Sequence, residues 1–176
     1  MIRPLLVAII ALSLPASVGS AYRPAYDPLA ITWDAPGECL GYEPVHRIPY
    51  AWLALAREES EAAGVPLWIA GRLIWAESRW HPRAAGNNPN GTQDMGFGQL
   101  NSAYLEYFAR YNDGRPVDPF SPRQSLRVAF RYLAELYAMT GTWPDAVAAY
   151  NCGPGRWKTG DIPEVTRRHV ARIFND

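Results

Sequence analysis

Residues 82 to 98, Pro-Arg-Ala-Ala-Gly-Asn-Asn-Pro-Asn-Gly-Thr-Gln-Asp-Met-Gly-Phe-Gly, are dense in turn formers. Glycine, proline and asparagine at this density do not continue a helix, so the segment is a long loop or a short hairpin. Asn90-Gly91 is its tightest expected turn. A structureless loop of this length is uncommon inside a compact domain unless it serves a function. Any fold for this chain therefore has to place an irregular or hairpin region between helical stretches.

The flanking sequence is helical by pattern. From Tyr50 to Ala63, Trp52, Leu53 and Ala56 interleave with Arg57, Glu58, Glu59 and Glu61, which suits an amphipathic helix ended by Gly64. Pro66 sits where a first turn tolerates proline, and the next helix is expected to run to about Trp80, before His81-Pro82. Helical signals resume over Ser102 to Arg110, from about Pro122 to Met139, over Pro144 to Tyr150, and over Pro163 to Ile173. With 176 residues, 48% of them apolar and 19% charged, the chain has one sizeable core. The fold class expected is mainly α with one irregular lobe.

The N-terminal segment reads separately. Arg3 is followed by an apolar run from Leu5 to Leu14 and by the small residues Ala16 to Ala21, the pattern of an export signal cut near Ala21. About 20 apolar residues are needed to span a bilayer, and this run is too short for a stable anchor. Residues 22 to 49 carry five prolines and no sustained period, so they form an irregular lead-in rather than a second domain, and the folded domain spans 50 to 176. Export permits a disulfide between the two cysteines, Cys39 and Cys152, with two free thiols as the alternative. His46, His81 and His169 have no ligand spacing, and no metal or organic cofactor is expected. Seventeen basic and seventeen acidic residues balance, so bulk charge does not direct the protein to nucleic acid or an anionic membrane. Seven tryptophans and ten tyrosines offer flat faces that suit sugar rings and equally serve core packing.

Within the second helix, Glu77 shares a face with Leu73 and Ile74. One reading is an ion pair with Arg72, Arg79 or Arg83. The other is a general acid, because burial without a cation disfavours the carboxylate and a helix C-terminus acts in the same direction.

Three further segments bear on that choice. Glu77-Ser78, Gly96-Phe97-Gly98-Gln99-Leu100-Asn101 and Ala149-Tyr150-Asn151-Cys152-Gly153 resemble, in order, the Glu-Ser, Gly-Leu-Met-Gln and Ala-Tyr-Asn-Ala-Gly motifs of the soluble lytic transglycosylases. Asp118 to Leu126, followed by Tyr132-Leu133, is similar to the family helix beginning Asp-Pro-x-x-Asn-Ile. The resemblance covers about residues 50 to 172 and implies a lysozyme-like fold of two lobes. It further implies cleavage of the N-acetylmuramic acid to N-acetylglucosamine bond of peptidoglycan without added water. Glu77 would serve first as acid and then as base for the muramoyl C6 hydroxyl, which closes a 1,6-anhydro ring. The family tyrosine that reaches the acid corresponds to Tyr150. Gln99 and Asn151, with Phe97 and Asn101, correspond to the cleft, and Ser78 to the residue beside the acid.

The chain departs from the pattern at Phe97-Gly98, where the family has Leu-Met, at Ser125 in place of Asn, and at Val165 and His169 in place of Glu and Tyr. Residues 77 to 102 also look like a stretch of the C-type lysozymes in which Asp94 would be a second carboxylate, and a water-using muramidase would then be possible. Those lysozymes are much richer in cysteine and lack the Ala-Tyr-Asn run. The small transglycosylases of secretion and conjugation systems carry an Asp at the same place, so Asp94 either lines the cleft or holds the loop as a turn residue. The resemblance implies a periplasmic or envelope location, peptidoglycan strands as partner, and a secretion or other envelope-spanning machine as a candidate second partner. A non-catalytic wall-binding module is the remaining alternative.

Overall fold

The computed structural model describes residues 48–175. The expected export signal, nearly all of the lead-in and Cys39, hence the Cys39 to Cys152 pairing, lie outside them. The first helix, α1 (Tyr50–Ala63), stops at Gly64, whose left-handed backbone (φ 71°) lets its N–H reach the Ser60 and Glu61 carbonyls. Pro66 starts α2 (Leu67–Ser78), which is the most apolar helix of the fold. Ile69, Ala70, Leu73 and Ile74 are fully buried along it.

That helix ends two residues before the expected Trp80, and the reason is tertiary. Arg79 and Trp80 both take left-handed backbone, φ 54° and 59°, which turns the Trp80 ring inward against Phe97, 5.7 Å between centroids. The turn-rich segment then forms an antiparallel sheet of β1 (Ala85–Asn87), β2 (Gln93–Met95) and β3 (Leu100–Asn101), paired in that order. Asn90-Gly91 lies in the β1 to β2 turn, which the Asn88 N–H closes on the Thr92 carbonyl at 2.8 Å.

The single helix expected over Ser102 to Arg110 is broken. It consists of a 3-10 turn (Ser102–Tyr104), the one-turn α3 (Leu105–Phe108) and a second 3-10 turn (Ala109–Tyr111). The tighter turns bring Phe108 and Tyr111 onto Tyr132, with centroids 5.5 and 5.7 Å away, so aromatic packing overrides the helical period. Next come α4 (Pro122–Thr140), α5 (Trp143–Cys152), a short unanticipated α6 (Pro154–Lys158) and α7 (Glu164–Phe174). The start of α5 is capped by Thr142, whose hydroxyl oxygen accepts from the Asp145 N–H.

The architecture is mainly α, as expected. The larger core joins α1, α2, α4, α5 and α7 around Ile69, Leu73, Phe130, Leu133, Val147 and Ile173. A smaller cluster of Leu100, Phe108, Tyr111 and Val128 lies beside the sheet. Because α4 contributes to both, it fixes the sheet region relative to the helices. A ladder of charges crosses the outside of this joint. Glu59, 4% exposed, accepts from Arg123 at 2.8 Å and from Arg127 at 3.0 Å, and Asp113 accepts from Arg127 and Arg131 at 3.2 and 2.7 Å.

Candidate active site

Glu77 occupies the last turn of α2, next to the negative end of the helix dipole. Its side chain is 12% exposed, so it is mostly enclosed while one side remains open to a ligand. The ion pair with a neighbouring arginine does not describe it. Arg72 sends its guanidinium to the Ile173 carbonyl at 2.6 Å, and Arg79 lies over the Trp75 ring at 4.9 Å. What faces the carboxylate is the imidazole of His169 on α7, with Nε2 3.3 Å from Oε1. Both atoms are sealed from solvent and neither has a well-oriented hydrogen bond. A buried polar atom left without a partner costs about 1–3 kcal/mol.

Tyr150 does not donate to Glu77. Its hydroxyl donates to the Gly98 carbonyl at 2.7 Å, and a carbonyl can only accept, so the one phenolic proton is committed there. Burial first, then the charge of Glu77, then Tyr132 and Asp94, push the phenol well above its ordinary range and keep it a neutral donor. The other side of Gly98 is fixed as well, since its N–H donates to Ser125 Oγ at 3.1 Å. A Cβ at position 98 would lie 2.7 Å from the Ala129 Cβ and 3.1 Å from the Tyr150 hydroxyl. The glycine where the family carries methionine thus lets the loop backbone seat directly between α4 and α5. A Cβ at Gly96 would stand 1.7 Å from the Pro119 carbonyl oxygen.

The remaining expected site residues are largely engaged by the protein itself. Ser78 is buried and donates back to the Ile74 carbonyl at 3.2 Å, which fastens the helix end. Gln99, in left-handed backbone, turns its amide nitrogen onto the Gly96 carbonyl at 2.9 Å, leaving the side chain only part-buried. Asn101 donates to Asp94 at 2.8 Å and to Thr92 at 3.0 Å, and also accepts from the Ala103 N–H. Asp94 is thereby tied across the β2 to β3 pairing. Asn151 is exposed and accepts from the buried Thr166 at 2.7 Å, joining α5 to α7. Phe97 requires correction as a cleft residue. It is fully buried, with its ring packed edge-on between Trp52 and Trp80, and no ligand can reach it without opening the core.

Two residues at the site were not singled out as such from sequence, Ser125 and His169. The only signal was that each departs from the motif it interrupts.

Comparison with known proteins supplies an independent line. The family model described as "Transglycosylase SLT domain" matches residues 54–162. Among solved structures, an inactive mutant of the lytic transglycosylase Slt of Pseudomonas aeruginosa superposes with a TM-score of 0.59 at 22% identity. The 70 kDa soluble lytic transglycosylase Slt70 of Escherichia coli does so with 0.58 at 24% identity. In both cases the match covers 72% of this chain and 23% of the other, so the chain spans about a quarter of those proteins' length. At these identities the likeness shows a shared fold. No curated protein sequence matches the chain.

Proposed function

Because the chain belongs to the transglycosylase SLT domain family, we propose that it is a peptidoglycan lytic transglycosylase with Glu77 as its single acid and base. The observation that carries this reading is the enclosed Glu77 carboxylate, unpaired with arginine and open on one side, at a helix end beside the Tyr150 to Gly98 bond. Protonated Glu77 gives its proton to the glycosidic oxygen as the bond to C1 of N-acetylmuramic acid breaks. The muramoyl C6 hydroxyl attacks C1, its proton passes to the Glu77 carboxylate, and a 1,6-anhydro end is released. One carboxylate suffices because the nucleophile belongs to the substrate, in contrast to the paired carboxylates of most glycosidases. The Pseudomonas aeruginosa neighbour is inactive with a glutamate-to-glutamine change, which is in keeping with chemistry resting on one glutamate.

The bond from Asn101 supports a loop-holding role for Asp94. Tyr150 would act by holding the Gly98 peptide, and Gln99 and Asn151 by the parts of their amides that remain accessible. Such a substrate lies outside the cytoplasm, so the proposal includes export directed by residues 1–21 and an envelope location. Among the described residues, no helix is long and apolar enough to cross a membrane.

The test is to incubate the chain lacking residues 1–21 with purified peptidoglycan and weigh the released muropeptides. Borohydride-resistant products one water lighter than hydrolysis products are expected. Reducible ends would make it a muramidase and bring Asp94 into the chemistry; binding without release would make it a wall-binding module.

A further inference from the structure

Tyr104, Tyr107, Phe108 and Tyr111 are spaced i, i+3, i+4 and i+7, so the turns from Ser102 to Tyr111 gather them into one aromatic stripe. A stripe that served only the core would be buried along its length. Here Phe108 and Tyr111 are 6% and 7% exposed, whereas Tyr104 and Tyr107 are 59% and 43% exposed. The inner two rings pack on Tyr132, and Tyr132 packs on Tyr150 with centroids 5.5 Å apart. The stripe is thus continuous with the ring that holds the Gly98 carbonyl. Its first turn is also tied to the sheet. The Gln93 N–H donates to Ser102 Oγ at 2.9 Å, and Asn101, which donates to Asp94, accepts from the Ala103 N–H.

The two exposed rings are held in place. The Tyr107 hydroxyl lies 3.2 Å from that of Tyr111 and donates to Glu135 at 3.4 Å. Tyr104 leans on Phe108 at 6.4 Å, and the Arg110 guanidinium stands 5.2 Å from the Tyr107 centroid. Rings fixed in advance lose little freedom when a ligand settles on them. Arg110 and Glu135 are themselves exposed, so an N–H fork and a carboxylate lie at the rim. Flat apolar faces with hydroxyls and both charge signs around them suit a pyranose. Its C–H face can stack on a ring while its hydroxyl and acetamido groups take hydrogen bonds from the rim. At about half exposure the two rings offer on the order of 200 Å², far below the roughly 800 Å² per partner of a standard protein interface. The size therefore fits a short length of glycan rather than a protein.

We infer that Tyr104 and Tyr107 form a sugar-binding platform that holds the glycan strand outside the Glu77 site and favours long strands over short fragments. This rests on the reading of the protein as a peptidoglycan lytic transglycosylase, and it assigns the platform a share in binding and none in bond cleavage.

The test is sedimentation with purified, protein-free sacculi, using the full chain with Glu77→Gln so that the polymer is not consumed. Adding Tyr104→Ala and Tyr107→Ala together should weaken binding about tenfold. The pair Tyr104→Leu and Tyr107→Leu keeps apolar area but removes the flat faces, and should weaken it as much. An N-acetylglucosamine hexamer should compete with sacculi for the parent protein, and the alanine pair should lose more affinity for the hexamer than for the dimer. Tyr104→Ala alone, at the more exposed ring, guards against disturbance of the stripe and should cost severalfold with an unchanged thermal midpoint. Equal sedimentation of the parent and the alanine pair overturns the platform. Full binding by the leucine pair overturns it too, since the face would then be a generic apolar contact. Failure of the underlying reading looks different: the wild-type chain would release reducible ends or nothing, a result that sedimentation, needing no turnover, does not depend on.

Discussion

Two carboxylates, the buried Glu59 on α1 and the mostly enclosed Glu77 on α2, sit on helices of one core and have opposite surroundings. Glu59 receives three hydrogen bonds from two guanidiniums, and one of these, Arg127, continues into a ladder through Asp113 to Arg131. The result is a joint between α1 and α4. Glu77 meets one imidazole across 3.3 Å and keeps an oxygen without a well-oriented bond. A fully satisfied carboxylate stabilises but cannot give a proton, whereas an under-satisfied one costs stability and remains able to react. Burial by itself therefore does not separate the two carboxylates; the completeness of their hydrogen bonding does.

The strongest challenge to this contrast is a pair of matched substitutions. Glu77→Gln should lower muropeptide release by about 10²- to 10⁴-fold, the usual contribution of general acid and base catalysis, while the thermal midpoint hardly moves. Equal activity in wild type and variant would erase the distinction. Glu59→Ala should do the reverse, costing about 3 kcal/mol in urea unfolding because Arg127 and Arg123 lose their shared partner. That figure is at the low end for a broken buried pair, since both arginines reach solvent, and activity per folded molecule should be kept.

A smaller effect is expected at Tyr150→Phe, which leaves the Gly98 carbonyl without its donor. Stability should fall by roughly 1–2 kcal/mol, and turnover should slow by several-fold as the loop beside Glu77 loosens. A variant that loses stability but turns over at the wild-type rate would remove the Gly98 peptide from the working site. Smallest of all is Asp113→Asn, at the exposed end of the ladder. The hydrogen bond and charge of Arg131 hold the Asp113 carboxyl below its ordinary value. The sign follows: its contribution is present above the unfolded-state value and is lost as pH falls through the lower native one. Wild type and variant should differ modestly at neutral pH and converge in acid, with the gap shrinking further in high salt.

Much of the fold was legible because local signals agreed with tertiary demand. Gly64 ends its helix where left-handed backbone is needed, and Asn90-Gly91 marks the turn. Where they disagreed, the sequence misled. The pattern over Ser102 to Arg110 is helical, yet packing on Tyr132 broke it. Phe97 lies inside a motif that implies a cleft residue, though the ring belongs to the core. Glu77 itself was legible as an ionisable residue on an apolar helix. Its partner was not, because His169 lies on the last helix and only the packing of α7 on α2 brings them together. Ser125 was hidden for the same reason.

The left-handed pair Arg79 and Trp80 has a consequence for the short segment that carries Glu77. For residues with a Cβ, this backbone costs roughly 1–2 kcal/mol each, and nothing within the segment repays it. Compensation comes from elsewhere, chiefly the enclosure of Trp80, 4% exposed, against Phe97. Cut out as a peptide, the stretch around Glu77 would have no reason to bend there, and its last turn would fray or run on. The orientation of the carboxylate is thus a property lent to it by the assembled domain, and grafting the Glu-Ser motif alone onto another helix would transplant the letters without the geometry.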